Sequence, residues 1–282
     1  DNMASTSFLP LLFGSTVAAV FFYVIFKKRY QHTPKPLQKR ILSPNEPSCR
    51  KLLRTGVWEA QGKRDNMEDA HTINVNFSAK DDESNVCGFL GVYDGHGGRK
   101  AADYVALHLP EIFIQQKNYF TNPEDAIRLA IEKVEKDFLD ISREQSISDG
   151  TTLVVTVLID NHLTIANVGD SECILASDGK GIPLSEIHNP SKNDSEIERV
   201  EGAGGRIFRK RVGHPLLNVN YFNIGLSRAI GDDMYKNPKY TEGKISGLTA
   251  DPFIQTIELD LERDDFLIIA CDGLWDVFTY QE

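Results

Sequence analysis

Residues 151–170 read TTLVVTVLIDNHLTIANVGD. Thr151 to Ile159 is a β-branched run, and Asp160-Asn161 separates it from a second apolar run, His162 to Val168. β-Branched side chains are stiff at χ1 and suit a pleated surface, while Asp and Asn tolerate the left-handed backbone of a tight turn. The stretch therefore predicts an antiparallel hairpin. Working outward, Asp178-Gly179 marks the next turn, Thr72 to Phe77 alternates through Ile73, Val75 and Phe77, and Val86 to Tyr93 is continuously apolar. Two amphipathic helices interrupt the strands. One, from about Gly98 to Phe113, sets Ala101, Val105, Leu109 and Ile112 on one face. The other, from about Pro123 to Arg143, has Asn122 as N-cap, Pro123 at its first position and Glu124 and Asp125 in its first turn. Hairpin-linked strands broken by long helices imply an α+β domain on antiparallel sheets rather than a parallel βαβ sheet.

The composition, 41% hydrophobic and 9% aromatic with 12 Pro and 21 Gly in 282 residues, is that of an ordinary folded chain and excludes disordered and collagen-like classes. Cys49, Cys87, Cys173 and Cys271 form no Cys-x-x-Cys pair, which leaves neither a disulfide framework nor a zinc knuckle and points to a reducing compartment. Residues 1–54 hold nine basic and two acidic residues, so 22 basic and 39 acidic residues remain for the rest, a net charge of −17. A nucleic-acid binder would carry the opposite sign, and no nucleic-acid partner is expected.

Phe8 to Phe26, FLPLLFGSTVAAVFFYVIF, contains no charged residue and is followed by Lys27, Lys28 and Arg29. As a helix it would span about one hydrocarbon core, roughly 28 Å. It predicts a single N-terminal transmembrane anchor within residues 1–26, and the basic flank predicts a single-pass membrane protein with its domain in the cytosol. Residues 27–54, with Pro34, Pro36, Pro44 and Pro47 among cations, read as a basic linker. Residues 55–282 form the folded domain.

Acidic residues stand at the ends of several expected strands. Asp94-Gly95 follows Val86 to Tyr93, Asp272-Gly273 follows Phe266 to Cys271, Gly169-Asp170 follows the 163–168 strand, and Glu68-Asp69 precedes the Thr72 strand. Alone, an Asp-Gly pair is a surface turn, a loop histidine such as His96 is solvated, and Arg64 is a surface charge. As a set, oxygen ligands at strand ends point to a hard cation, Mg²⁺ or Mn²⁺ rather than Zn²⁺.

Four blocks occur in one chain and in this order: Arg64-Asp65-Asn66-Met67-Glu68-Asp69, Asp94-Gly95-His96-Gly97-Gly98, Gly225 to Asp232 (GLSRAIGD) and Ala270 to Val277 (ACDGLWDV). With them the chain resembles the metal-dependent protein phosphatases, the type 2C Ser/Thr phosphatases, over residues 56–282. The resemblance implies an αββα sandwich, two antiparallel β-sheets flanked by helices, with two Mg²⁺ or Mn²⁺ ions in a cleft at one end. It implies that Asp94 bridges both ions, that the Gly95 carbonyl and Asp272 are direct ligands, and that Glu68 acts through bound water. Asp69 is implied as an acceptor behind the ligands, and Asp170 and Asp276 as holders of a further, weaker ion. The two cations would acidify a shared water for in-line attack on phosphorus. Arg64 would grip two phosphoryl oxygens, and His96 would protonate the leaving Ser or Thr oxygen. The implied partners are proteins phosphorylated on Ser or Thr. A different class of function, a membrane-tethered pseudophosphatase acting as a binding module, would not require Arg64, Glu68, Asp94, His96 and Asp272 together.

Other phosphoryl-transfer chemistries lack their parts. The residues six after each cysteine, Thr55, Tyr93, Gly179 and Val277, include no arginine, and the chain has no Gly-x4-Gly-Lys loop and no Asp-Phe-Gly triplet. Two departures from the family pattern stand out: Glu172 where Arg after Gly-Asp-Ser is common, and Ser185 to Pro190 (SEIHNP) where Asp-His-Lys/Arg-Pro is usual. A further Asp-Asn pair usual beyond the Asp272 block is not reached before Glu282. The chain is therefore expected to be C-terminally truncated, to bind metal weakly and to fold with little stability. Residues 191–223 read as a loop-rich flap in which Arg206, Arg209, Lys210 and Arg211 could steer a phosphorylated loop.

Overall fold

The computed structural model describes residues 19–26, 53–75, 86–260 and 262–282. Two five-stranded antiparallel sheets form its centre. The first contains β1 (Ala19–Phe26), β2 (Leu53–Ala60), β9 (Glu172–Ser177), β10 (Lys180–Pro183) and β16 (Asp264–Ala270), in the order β10-β9-β16-β1-β2. The second contains β3 (Ala70–Val75), β4 (Val86–Tyr93), β7 (Leu153–Ile159), β8 (His162–Val168) and β15 (Phe253–Glu258), in the order β15-β8-β7-β4-β3. Short strands β5 (Gly95–His96), β6 (Gly150–Thr151) and β14 (Ile230–Gly231) form a third sheet, and β11 (Arg206–Phe208), β12 (Arg211–Gly213) and β13 (Asn223–Ile224) a fourth. The helices are α1 (Lys100–Gln115), α2 (Pro123–Gln145), α3 (Asp194–Gly202), α4 (Asp233–Lys236), α5 (Pro238–Thr241) and α6 (Asp272–Trp275).

The 151–170 hairpin forms as expected, with Ile159 opposite His162 and Asp160 at φ 54° in the turn. Every residue of β7 is buried because both faces of the second sheet are covered. On one face, Phe89, Val155, Val157, Ala166 and Val168 pack against Val105, Leu109 and Phe113 of α1 and Ile127, Ile131 and Val134 of α2. On the other, Leu90, Val92, Val154 and Ile165 meet Cys173, Leu175, Leu267 and Ile269 of the first sheet. Each fully buried aliphatic or aromatic side chain contributes about 1.5–3 kcal/mol. α2 starts at Pro123 with the Asn122 side chain accepting from the Asp125 N–H, as its sequence predicts.

Three expectations are corrected. Ala19 to Phe26 does not form the second half of a transmembrane helix; it is strand β1, paired with β16 (Phe21 opposite Ala270) and with β2 (Ala19 opposite Ala60). Its β-branched and aromatic residues suit a strand, and neighbours on both sides satisfy its backbone as fully as a helix would. Among the described residues no helix is long and apolar enough to cross a membrane, and residues 1–18 of the expected anchor lie outside the described residues. The linker expected over 27–54 ends earlier, since Leu53 and Arg54 already belong to β2; residues 27–52 lie outside the described residues. The expected four layers are three among the described residues: helices, sheet, sheet. The outer face of β9 and β16 instead carries a groove of about 420 Å³, bordered by Ile174, Phe266, Ile268, Trp275 and Tyr280.

Candidate active site

Strand register gathers the acidic residues at one end of the sandwich. Ala70 lies opposite Tyr93, so Asp69, just before β3, sits beside Asp94, just after β4. Leu153 lies opposite Val168, which brings Asp170, just after β8, to the same edge. In the first sheet Ala270 lies opposite Glu172, and Asp272 follows as the first residue of α6. The edge is locked by Thr152, whose N–H donates to the Asp94 carbonyl at 2.9 Å and whose hydroxyl accepts from the Asp94 N–H at 3.2 Å. Thr152 also bonds Ser171 at 2.7 Å.

The electrostatics of this cluster are those of charges without enough counter-charge. Burial pushes the Asp94 carboxyl well above the usual range, reinforced by Asp69, Asp272 and Asp170. Burial likewise raises Asp69, which shares a hydrogen bond with Asp94 and accepts from the buried Cys271 thiol at 3.5 Å. Asp272 is raised by burial and by Asp276, with Lys192 and Arg64 opposing. Asp170 is pushed up to about 6, by burial first and then by Asp272. One oxygen each of Asp94 and Asp272 lies within 4.8 Å of the other and of the Cys271 sulfur, a spacing suited to a metal ion. Sequence reasoning gave Cys271 no part in this group.

The other expected residues are placed as follows. Gly95 is buried, and a Cβ there would stand 2.3 Å from the Glu68 carbonyl oxygen, so glycine alone lets the two turns abut and keeps half-buried Glu68 beside the cluster. Arg64 is exposed, in a loop shaped by the Gln61 amide donating to the carbonyls of Arg64 and Asp65 at 2.9 and 3.2 Å. Its charge reaches Asp272. Asp276 is exposed and receives the Lys192 ammonium at 2.6 Å. Trp275 is half-buried and donates to the Ala270 carbonyl at 3.1 Å, which holds α6 against the end of β16.

His96 has a partner that sequence reasoning did not assign. Its Nε2 lies 2.8 Å from Oδ2 of Asp232, a residue buried to 6% exposure and held at φ 56° with its N–H bonded to the Asp149 carbonyl. Burial works against protonation of His96, but the charge and hydrogen bond of Asp232 outweigh it and raise the imidazole above its ordinary range. Gly150 makes room for the pair, because a Cβ there would lie 2.2 Å from the Asp232 carboxylate and 2.4 Å from His96 Nε2. The only sequence signal for Asp232 is its place at the end of the Gly225–Asp232 block. The flap contains more structure than a loop-rich reading implies: α3 occupies its start, and Arg209 and Lys210 form the exposed tip of the β11–β12 turn at φ 49° and 59°.

A family model described as protein phosphatase 2C matches residues 53–282. The chain belongs to the protein phosphatase 2C family. It is similar to probable protein phosphatase 2C 52 of Oryza sativa subsp. japonica, 39% identical over 234 residues, covering 82% of this chain and 43% of the relative. Protein phosphatase 2C homolog 2 of Schizosaccharomyces pombe is 35% identical, covering 82% of this chain and 60% of that one. The chain thus spans about half the length of such relatives. Among solved structures, a C. elegans sex-determining protein is 25% identical with a TM-score of 0.60, covering 77% of this chain and 50% of that one. A serine-threonine phosphatase 2C from Toxoplasma gondii shares the fold at 19% identity and a TM-score of 0.62, covering 77% of each chain.

Proposed function

We propose that this protein phosphatase 2C domain is a metal-dependent protein serine/threonine phosphatase that hydrolyses phosphoserine and phosphothreonine in proteins. The observation that carries this reading is the convergence of Asp69, Asp94, Asp170 and Asp272 at one sandwich end, with raised carboxyls and too few cations among them. The donor set is hard oxygen and fits Mg²⁺ or Mn²⁺. Asp94, Asp272 and the Gly95 carbonyl would hold two such ions, with Glu68 through water and Asp69 orienting Asp94. When bound, the ions would supply a nucleophilic water at neutral pH and neutralise phosphoryl charge.

The remaining steps belong to side chains. Arg64, exposed at the rim, is free to take two phosphoryl oxygens in a planar fork that lysine cannot match. His96, whose protonated form Asp232 favours against the opposing effect of burial, would donate its proton to the departing Ser or Thr oxygen, a strongly basic leaving group. Asp232 is then a positioning residue. A cytosolic setting belongs to the proposal, supported by the buried thiol of Cys173.

The test is phosphate release from a phosphothreonine peptide with Mn²⁺, with chelator, and with Asp94→Asn. Metal-dependent release that falls ~100-fold or more in Asp94→Asn, the scale on which charge-stabilising groups act, is the expected result. A folded protein that binds Mn²⁺ and releases no phosphate would contradict the reading.

A further inference from the structure

The two carboxylates implied as holders of a further ion, Asp170 and Asp276, are each already engaged by one short loop. Asn189 donates its side-chain amide to Asp170 Oδ2 at 2.8 Å, and Lys192 donates its ammonium to Asp276 Oδ1 at 2.6 Å. The orientation of the Asn189 amide is fixed from the other side, because its Oδ1 accepts from the Ser191 N–H at 2.9 Å and the Ser191 hydroxyl at 2.7 Å. Its NH₂ therefore faces Asp170, presenting donors where a cation would need acceptors. The loop is anchored on the same strand end: the His188 N–H donates to the Gly169 carbonyl at 3.0 Å, and the Gly169 N–H donates to His188 Nδ1 at 3.1 Å. Downstream, the Lys192 and Asn193 N–H groups both bond the Asn189 carbonyl, at 3.0 and 2.9 Å.

Lys192 is placed for charge rather than for stability. The pair with Asp276 is partly open to solvent, at 34% and 53% exposure, and such pairs add little to folding. Its positive charge, however, reaches Asp170, Asp272 and Glu172 as well as Asp276. An ammonium at hydrogen-bond distance occupies the carboxylate lone pair that a divalent ion would use and repels any ion brought beside it.

We propose that Lys192, with Asn189, closes the position between Asp170 and Asp276 to a further metal ion and stands in for that ion as a tethered positive charge. The inference rests on the phosphatase reading of the same cleft. It assigns a metal-excluding role to a loop whose sequence, His188-Asn189-Pro190-Ser191-Lys192, departs from the usual family pattern at Asn189.

The experiment is a count of bound Mn²⁺ by electron paramagnetic resonance titration on the full chain, comparing wild type, Lys192→Ala, Lys192→Arg, and Lys192→Ala combined with Asp276→Asn. Lys192→Ala is expected to bind one more Mn²⁺ per chain than wild type. Lys192→Arg, which keeps the charge, is expected to match wild type, and the double variant is expected to lose the added ion. Equal counts and equal affinities in wild type and Lys192→Ala overturn the inference, as does an added ion that survives Asp276→Asn. Asp94→Asn separates this from the parent reading: wild-type sites that vanish in Asp94→Asn, with no ion gained in Lys192→Ala, leave the phosphatase cleft standing and remove only the role of Lys192.

Discussion

Glu196, buried, and Asp94, half-buried, are both carboxylates partly or wholly withdrawn from water, and the protein treats them in opposite ways. Around Glu196, Arg199 donates three hydrogen bonds at 2.9–3.0 Å, Arg228 reaches both carboxylate oxygens, and the Ser227 hydroxyl donates at 2.6 Å. Burial pushes Glu196 upward, but these donors outweigh it and hold the carboxyl down at about 2. Around Asp94 the neighbours are Asp69, Asp170 and Asp272, and burial and charge act in the same direction. A buried acid with internal partners is structural: it ties α3 to the Ser227–Arg228 segment. A half-buried acid facing other acids favours a cation from outside, which is the arrangement the proposed metal centre requires.

The comparison breaks if the two clusters respond alike to neutralisation. Glu196→Gln leaves Arg199 and Arg228 under-compensated and is expected to lower the unfolding free energy by about 3–5 kcal/mol, measured by urea denaturation. Asp94→Asn, measured the same way without metal, is expected to raise stability while removing metal-dependent turnover. Loss of metal-free stability in Asp94→Asn comparable to that in Glu196→Gln would erase the distinction.

Their pH dependences sharpen it. Glu196 has a depressed carboxyl, so its contribution, about 3 kcal/mol, is complete above its unfolded value of 4.5 and is lost as pH falls toward about 2. The cleft carboxyls are raised, so without metal their protonated forms favour folding below 3.8, and that benefit disappears as pH rises through the folded values, about 6 for Asp170. The gap in melting temperature between Mn²⁺-loaded and chelated protein should therefore widen with rising pH through about 6. A constant gap would contradict the reading.

Smaller effects separate positioning from metal binding. Asp232→Asn is expected to lower kcat by roughly 100-fold with bound Mn²⁺ and KM little changed, the lower end of what general acid catalysis contributes. Gly150→Ala should act in the same direction by forcing His96 and Asp232 apart. Asn122→Ala, at the start of α2 and away from the cleft, should cost about 1 kcal/mol in a thermal melt and leave turnover unchanged.

What was legible in the sequence follows the range of each interaction. The β7–β8 hairpin is local, and β-branching with Asp160-Asn161 specifies it. β4 ends where its apolar run ends, which is why Asp94 could be read as a strand-end carboxylate. The His96–Asp232 pair spans 136 residues and the Lys192–Asp276 pair 84, and no local pattern reports such meetings. Ala19 to Phe26 was misread for a related reason. An uncharged run followed by cations satisfies both a membrane helix and a central strand, and what separates them is the presence of β2 and β16 as neighbours on either side.

The most direct measurement is calorimetric titration of the chelated protein with Mn²⁺ at a pH near 6, in two buffers of different ionisation enthalpy. If the cleft holds protons in place of cations, binding must release protons, and Asp94→Asn must lose that release. Binding without proton release, or release that persists in Asp94→Asn, would contradict the claim that these raised carboxylates are the metal centre.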